Sequence, residues 1–208
     1  SEMCIRDRFY SSCAQENPRS SQLDLEPVVV NNKNEHKAYF ASGCFWCVEA
    51  IYESLIGVNE VISGYSGGDT NNPTYGLVNT RMTGHAETIE VTYNPNEITF
   101  SNLLDVYFGS QDIDQINGQG PDSGPQYRSI IFYQNNIQKE LISTKIKEVE
   151  SKTGLKVAAE VYPFRKFWIA ENYHQNFKKN NPNHPYIKNV SDPRFKNFKF
   201  KFEDLIKD

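Results

Sequence analysis

Two thiols three residues apart are the groups in this chain best suited to chemistry. Cys44 and Cys47 lie in Ala41-Ser42-Gly43-Cys44-Phe45-Trp46-Cys47-Val48-Glu49-Ala50, with an aromatic pair between them. Lys37 to Ala41 reads as a short strand. After Gly43, apolar residues recur at Phe45, Val48, Tyr52 and Leu55, the spacing of one helical face. Cys44 then falls in the first helical turn, where unpaired N–H groups and the helix dipole favour a thiolate. A thiolate is the nucleophilic form of cysteine. Cys47, one turn on, projects from the same face and can reach the Cys44 sulfur. Taken alone, such a pair has three readings: a redox couple, half of a zinc site, or two buried thiols packed as small hydrophobes.

A carboxyl completes the set. His85 to Tyr93 alternates cleanly and is closed by Asn94-Pro95, as a strand would be. His85, Glu87, Ile89, Val91 and Tyr93 share the apolar face. Ala86, Thr88, Glu90 and Thr92 share the other, which places Glu90 toward water. Burial raises the pKa of a carboxyl such as Glu87 and keeps it protonated near neutral pH.

The elements that must position these groups follow from pattern and punctuation. Val58 to Gly64 reads as a strand, Phe100 to Phe108 as a helix capped by Ser101, and Tyr127 to Tyr133 as a strand. Asn136 to Thr153 is a helix with Ile137, Leu141, Ile142, Ile146 and Val149 inward and Gly154 as its C-cap. Val157 to Tyr162 is a further strand and Ala170 to Lys179 a further helix. The loop Ser110 to Gln126 exceeds the roughly 12–15 residues beyond which loops are usually functional or disordered. Strands separated by helices predict an α/β fold: a single-domain two-layer sandwich with a ferredoxin-like core, a mixed sheet and long irregular loops.

The 208 residues, 38% apolar with net charge −4, support one core of ordinary size. No basic patch suits nucleic acid, and no apolar run approaches the roughly 20 residues of a spanning helix. Four cysteines, at positions 4, 13, 44 and 47, are too few and too uneven for a disulfide scaffold. Residues 1–36 read as a disordered leader ahead of a folded domain at 37–208. Within it, Glu2 to Arg8 looks like a translated sequencing adapter. Phe9 to Gln15 resembles the end of a bacterial lipoprotein signal, with Cys13 as the lipidated residue and a tether after it. On that reading the protein sits at the bacterial cell envelope; without it, in the cytoplasm.

Several short motifs occur in order: Gly43-Cys44-Phe45-Trp46, Gly64-Tyr65-Ser66-Gly67-Gly68, Asn72-Pro73-Thr74-Tyr75 and Gly84-His85-Ala86-Glu87. Gln119-Gly120-Pro121-Asp122, Gln126-Tyr127-Arg128-Ser129 and Ala170-Glu171-Asn172-Tyr173-His174-Gln175 follow. Together, from about Lys37 to Pro182, they closely resemble the A-type peptide methionine sulfoxide reductases. Reducing a sulfoxide with a thiol needs a nucleophile on sulfur and a proton on oxygen in one event. Cys44 suits the first need and Glu87 the second. The resemblance implies that Tyr75 and Tyr127 hold the polarised oxygen, where hydrogen bonds stabilise developing charge. It implies that Asp122 positions substrate or water. Phe45 and Trp46 would form the wall that accepts the S-methyl group and selects the S epimer.

The same resemblance implies a Cys44 sulfenic acid, a second thiol that condenses with it, and an external reductant. Many relatives have glycine at position 47 and resolve with a cysteine near the C-terminus. Here Cys47 stands in the motif and no cysteine follows it, so a Cys44–Cys47 disulfide is expected. It would be recycled by a thioredoxin-like partner, or by dithiothreitol in vitro. No bound cofactor or metal, a monomer, and oxidised proteins or free methionine sulfoxide as substrates complete the expectation. His85 and His174 are expected to pack in the core. Two other functions compete: a general thiol–disulfide oxidoreductase, and a structural zinc site joining the two cysteines with His85 or His174.

Overall fold

The computed structural model describes residues 35–207; Cys4, Cys13 and the adapter and anchor readings lie outside them. The chain runs β1 (His36–Ala41), α1 (Phe45–Glu53), β2 (Val58–Ser66), α2 (Tyr75–Asn79), β3 (Ala86–Tyr93) and α3 (Phe100–Gly109). It continues through β4 (Gly118–Gln119), β5 (Asp122–Ser123), β6 (Ile130–Tyr133), α4 (Asn136–Thr153), β7 (Glu160–Pro163), β8 (Trp168–Ile169), α5 (Phe177–Asn180) and α6 (Asp192–Lys201). Six strands form one sheet in the order β7-β6-β1-β3-β2-β8, and β4 pairs with β5 as a separate ribbon. Every neighbour in the large sheet is antiparallel except β6 and β7. The sheet is therefore mixed. Its centre, β6-β1-β3-β2 with crossovers through α1 and α3, has the order of a ferredoxin-like fold. Among the described residues no helix is long and apolar enough to cross a membrane.

Alternation along the strands decides what each face buries. Ala38, Phe40, Ile89 and Val91 turn toward α1 and α3, where Phe45, Val48, Tyr52, Leu103 and Tyr107 meet them. Tyr39, Ala41, Ala86, Ile130 and Phe132 turn to the opposite face, covered by Phe164 and Phe167. The Phe164 ring stacks on Tyr39 at 3.8 Å. This second cover corrects the expectation for Glu90. All of β3 is buried, and Glu90 is 8% exposed. Its carboxylate accepts from Tyr39 Oη at 2.7 Å and pairs with Lys37 Nζ at 2.5 Å. A buried carboxylate needs such partners, because burial without them costs several kcal/mol.

Four other details differ from the pattern reading. The cap of α3 is Thr99, not Ser101, in a capping box with Asn102, an arrangement that satisfies two helix-end N–H groups. The strand expected from Tyr127 begins only at Ile130, because Pro125–Tyr127 closes as a 3₁₀ turn. Helix α4 keeps its predicted bounds and its left-handed Gly154 cap. Its apolar face is narrower, with Ile142 buried but Ile137 and Leu141 exposed. Ala170 to Lys179 is not one helix. Asn176 takes φ 53°, which separates a 3₁₀ turn at Asn172–His174 from the short α5.

Candidate active site

Helix α1 begins at Phe45, so Cys44 is its N-cap residue, with φ −58° and ψ 121°, and its carbonyl accepts from Cys47 N–H at 3.1 Å. Gly43 makes that entry possible. It turns the chain with φ +80°, and a Cβ there would lie 2.5 Å from Cβ of Gln119. Gly43→Ala is expected to destabilise by roughly 2–4 kcal/mol, from left-handed strain plus overpacking. A thermal melt should show a midpoint about 5–15 °C lower.

Cys44 and Cys47 are buried and unlinked. Glu87 reaches the same point from β3 and is 2% exposed. Its Oε2 accepts the Phe45 backbone N–H at 2.9 Å, so this carboxyl caps the start of the helix beside Cys44. A helix N-terminus favours negative charge, but burial wins. Desolvation pushes the Glu87 pKa up to about 8 against that N–H, with the Asp122 and Cys47 charges adding to the rise.

The thiols divide their titration in a way the spacing did not predict. Burial foremost, then the hydrogen bond to Cys47 and the Glu87 charge, raise the Cys44 pKa well above an ordinary thiol. Cys47 is lowered to about 6, mainly by the hydrogen bond from Cys44, with Arg194, Ser191 and Tyr186 assisting against desolvation. Against the expectation that the helix start favours a thiolate on Cys44, burial pushes that thiol up, while its hydrogen bond with Cys47 holds the Cys47 thiol down. The Phe45 N–H at the helix start is held by Glu87.

Tyr75 and Tyr127 are half-buried around this point. Burial raises the pKa of each, and the charges of Glu87 and Cys44 add to both rises. Both phenols therefore stay protonated and able to donate. Glu171, which residue patterns did not single out, fixes Tyr75: its two carboxylate oxygens accept the Tyr75 backbone N–H and the Tyr65 hydroxyl, each at 2.9 Å. Tyr65 stands opposite Glu87 in the β2–β3 register. One carboxylate thus ties the tyrosine-bearing α2 to the strand beside the acid.

Phe45 is fully buried against Tyr65 and His174. Trp46 is half-exposed and held on three sides. Its ring stacks on Phe177 at 3.6 Å, its Nε1 donates to His174 Nδ1 at 3.0 Å, and Tyr186 meets it edge-on at 5.7 Å. His174 is buried as expected, although in a 3₁₀ turn. His85 is buried as well and also pins a loop, accepting from Gly68 N–H at 3.1 Å, with Nε2 2.8 Å from the Thr70 carbonyl. Among the described residues no three His, Cys, Asp or Glu side chains come together as a metal site.

Asp122 lies on the other side of the cysteine pair. Its Oδ2 accepts the Tyr186 hydroxyl at 2.5 Å, and that hydroxyl is 3.7 Å from Cys47 Sγ. Cys47, Asp122, Tyr186 and Arg194 line a cleft of about 330 Å³. Arg194 donates to the Ser42 carbonyl and hydroxyl and to the Ser110 carbonyl, locking α6 onto the turn before Cys44. Tyr186 and Arg194 escaped the sequence reading because no local motif marks them. Only the fold brings residues so distant in the chain beside the cysteines.

Comparison with known proteins agrees with this geometry. Residues 36–205 match the family model for peptide methionine sulfoxide reductase. A peptide methionine sulfoxide reductase MsrA of Sulfolobus acidocaldarius is 46% identical over 167 residues, covering 80% of this chain and 95% of that one. The Pasteurella multocida MsrA is 43% identical, covering 82% and 98%. Among solved structures, reduced Mxr1 from Saccharomyces cerevisiae superposes with a TM-score of 0.67 at 31% identity, covering 73% of this chain and 88% of that one. Methionine sulfoxide reductase A of Corynebacterium diphtheriae gives 0.65 at 28%, covering 76% and 82%. The chain belongs to the peptide methionine sulfoxide reductase family, an oxidoreductase whose reaction is the reduction of methionine sulfoxide by an enzyme thiol.

Proposed function

We propose that the enzyme reduces the S epimer of methionine sulfoxide through Cys44, with Glu87 as acid and Cys47 as the resolving thiol. The observation that carries this reading is the buried Glu87 carboxyl hydrogen-bonded at the helix start beside Cys44. Cys44 passes its proton to Cys47 along their hydrogen bond and attacks the sulfoxide sulfur. Glu87 protonates the oxygen as the S–O bond of the substrate breaks. The protonated oxygen, departing at the level of water, then adds to the Cys44 sulfur as the transient bond between that sulfur and the substrate sulfur breaks. Methionine thus leaves reduced by two electrons, and Cys44 is left as a sulfenic acid. Tyr75 and Tyr127 stabilise the charge building on that oxygen, and Phe45 and Trp46 enclose the methyl group.

Cys47 then attacks the sulfenic sulfur and water departs, leaving a Cys44–Cys47 disulfide that a thioredoxin-like protein clears. The Cys47 side of the pair borders the open cleft, which suits approach by a protein thiol. Glu87→Gln separates this reading from a general disulfide oxidoreductase, since disulfide exchange should survive the change while sulfoxide reduction should drop steeply. Turnover of separate S and R epimers, with dithiothreitol and then thioredoxin, tests the assignment. The S form alone should be consumed, and peptide mapping of the oxidised enzyme should return Cys44 joined to Cys47. Activity on the R epimer, or a linkage between two chains, would refute it.

A further inference from the structure

The proton that activates Cys44 leaves a problem behind it. Once Cys44 has handed its proton to Cys47, the resolving thiol is neutral, and a neutral thiol is a poor nucleophile. Something must deprotonate Cys47 before it can attack the sulfenic acid. Glu87 is badly placed for this, since it holds the Phe45 N–H on the substrate side. The opposite side offers a connected path. Tyr186 Oη stands 3.7 Å from Cys47 Sγ and donates to Asp122 Oδ2 at 2.5 Å, and both residues border the cleft. The phenol is oriented by that bond: with its hydrogen on Asp122, its lone pairs are free to accept from Cys47.

We propose that Tyr186 and Asp122 form a proton relay that deprotonates the resolving thiol. The inference rests on the Cys44–Cys47 reading given above. In the step, the Cys47 S–H proton passes to Tyr186 Oη while the Tyr186 proton passes to the Asp122 carboxylate. The Cys47 sulfur forms the S–S bond with Cys44, whose S–O bond breaks. Hydroxide leaves and takes a proton from solvent, while Asp122 returns its proton to solvent through the cleft. The net change is one thiol and one sulfenic acid to one disulfide and one water. Asp122 thereby acts on the resolving side, whereas the family resemblance pointed to substrate or bound water.

The ring of Tyr186 packs edge-on to Trp46, so Tyr186→Phe keeps the packing and removes only the hydroxyl. In single turnover, quenched samples give the rate of methionine formation and the rate of disulfide formation separately. In Tyr186→Phe and in Asp122→Asn, the disulfide rate should fall at least tenfold relative to the methionine rate of the same variant. A dimedone-trappable sulfenic acid should accumulate on Cys44. The double variant should be no slower than either single one, because members of one relay are not additive. Methionine formation in the variants shows that they fold, and a remote control, Tyr162→Phe, should leave the ratio unchanged. An unchanged ratio in Tyr186→Phe would overturn the relay. Failure of the underlying reading looks different: the wild-type enzyme itself would then lack the Cys44–Cys47 disulfide.

Discussion

Serine at position 44 is expected to abolish methionine formation, whereas serine at position 47 should leave one methionine per enzyme and then stop. The contrast follows from where the two sulfurs stand. Cys44 caps the helix next to Glu87, and among the described residues the only other thiol is Cys47. A serine hydroxyl there is a far weaker nucleophile toward sulfur, so no oxygen transfer follows. Cys47 has two duties in the proposed cycle, first as the acceptor of the Cys44 proton and later as the resolving nucleophile. Its loss should therefore slow the burst while leaving its amplitude at one equivalent, with Cys44 held as sulfenic acid. Quenched-flow counting of methionine per active site separates amplitude from rate. More than one equivalent from Cys47→Ser without added thiol would show that another group resolves the intermediate.

Glu87→Gln should lower the rate of methionine formation by about 10²–10⁴-fold, the usual contribution of a positioned acid. Glutamine keeps an oxygen for the Phe45 N–H, so the helix start should survive. The pH profile adds a signature that misfolding would not produce. The step needs a charge on the thiol pair, present above about 6, and a proton on Glu87, lost above about 8. The wild-type rate should rise through the first value and fall through the second. In Glu87→Gln the alkaline limb should vanish, since the amide does not titrate there. Stability carries its own sign. The folded state holds the Glu87 proton more tightly than the unfolded chain, so this group favours folding at acid pH. That contribution fades as pH rises from the unfolded carboxyl value, near 4.3, to about 8.

Much of this site was legible in the residues because its parts are local. The Cys-x-x-Cys pair, its helix and the alternating strand with Glu87 each show within a few positions, and periodicity is strongest there. What eluded pattern was contributed by packing between distant segments. Glu90 reads as solvent-facing because its neighbours Thr88 and Thr92 are polar, yet Phe164 and Phe167 cover that face. No spacing rule forecasts a lid made from a loop. The titration of the thiols eluded it for a similar reason. A helix start was visible, but the burial that pushes the Cys44 thiol up was not. The relay partner Tyr186 is 139 residues from Cys47 in sequence, and only the folded chain makes them neighbours.

The late position of Arg194 also bears on how the enzyme is made. Ser42, just ahead of the thiols, is fastened by a guanidinium that the ribosome adds 152 residues later. At roughly 5–20 residues per second, that interval lasts roughly 8–30 s. Throughout it, the nascent chain displays two cysteines without the covering that later makes them selective. Cells meeting an oxidant burst would thus risk their newest copies of a repair enzyme first, and chaperone shielding of the emerging N-terminal half would matter most under the stress the enzyme answers.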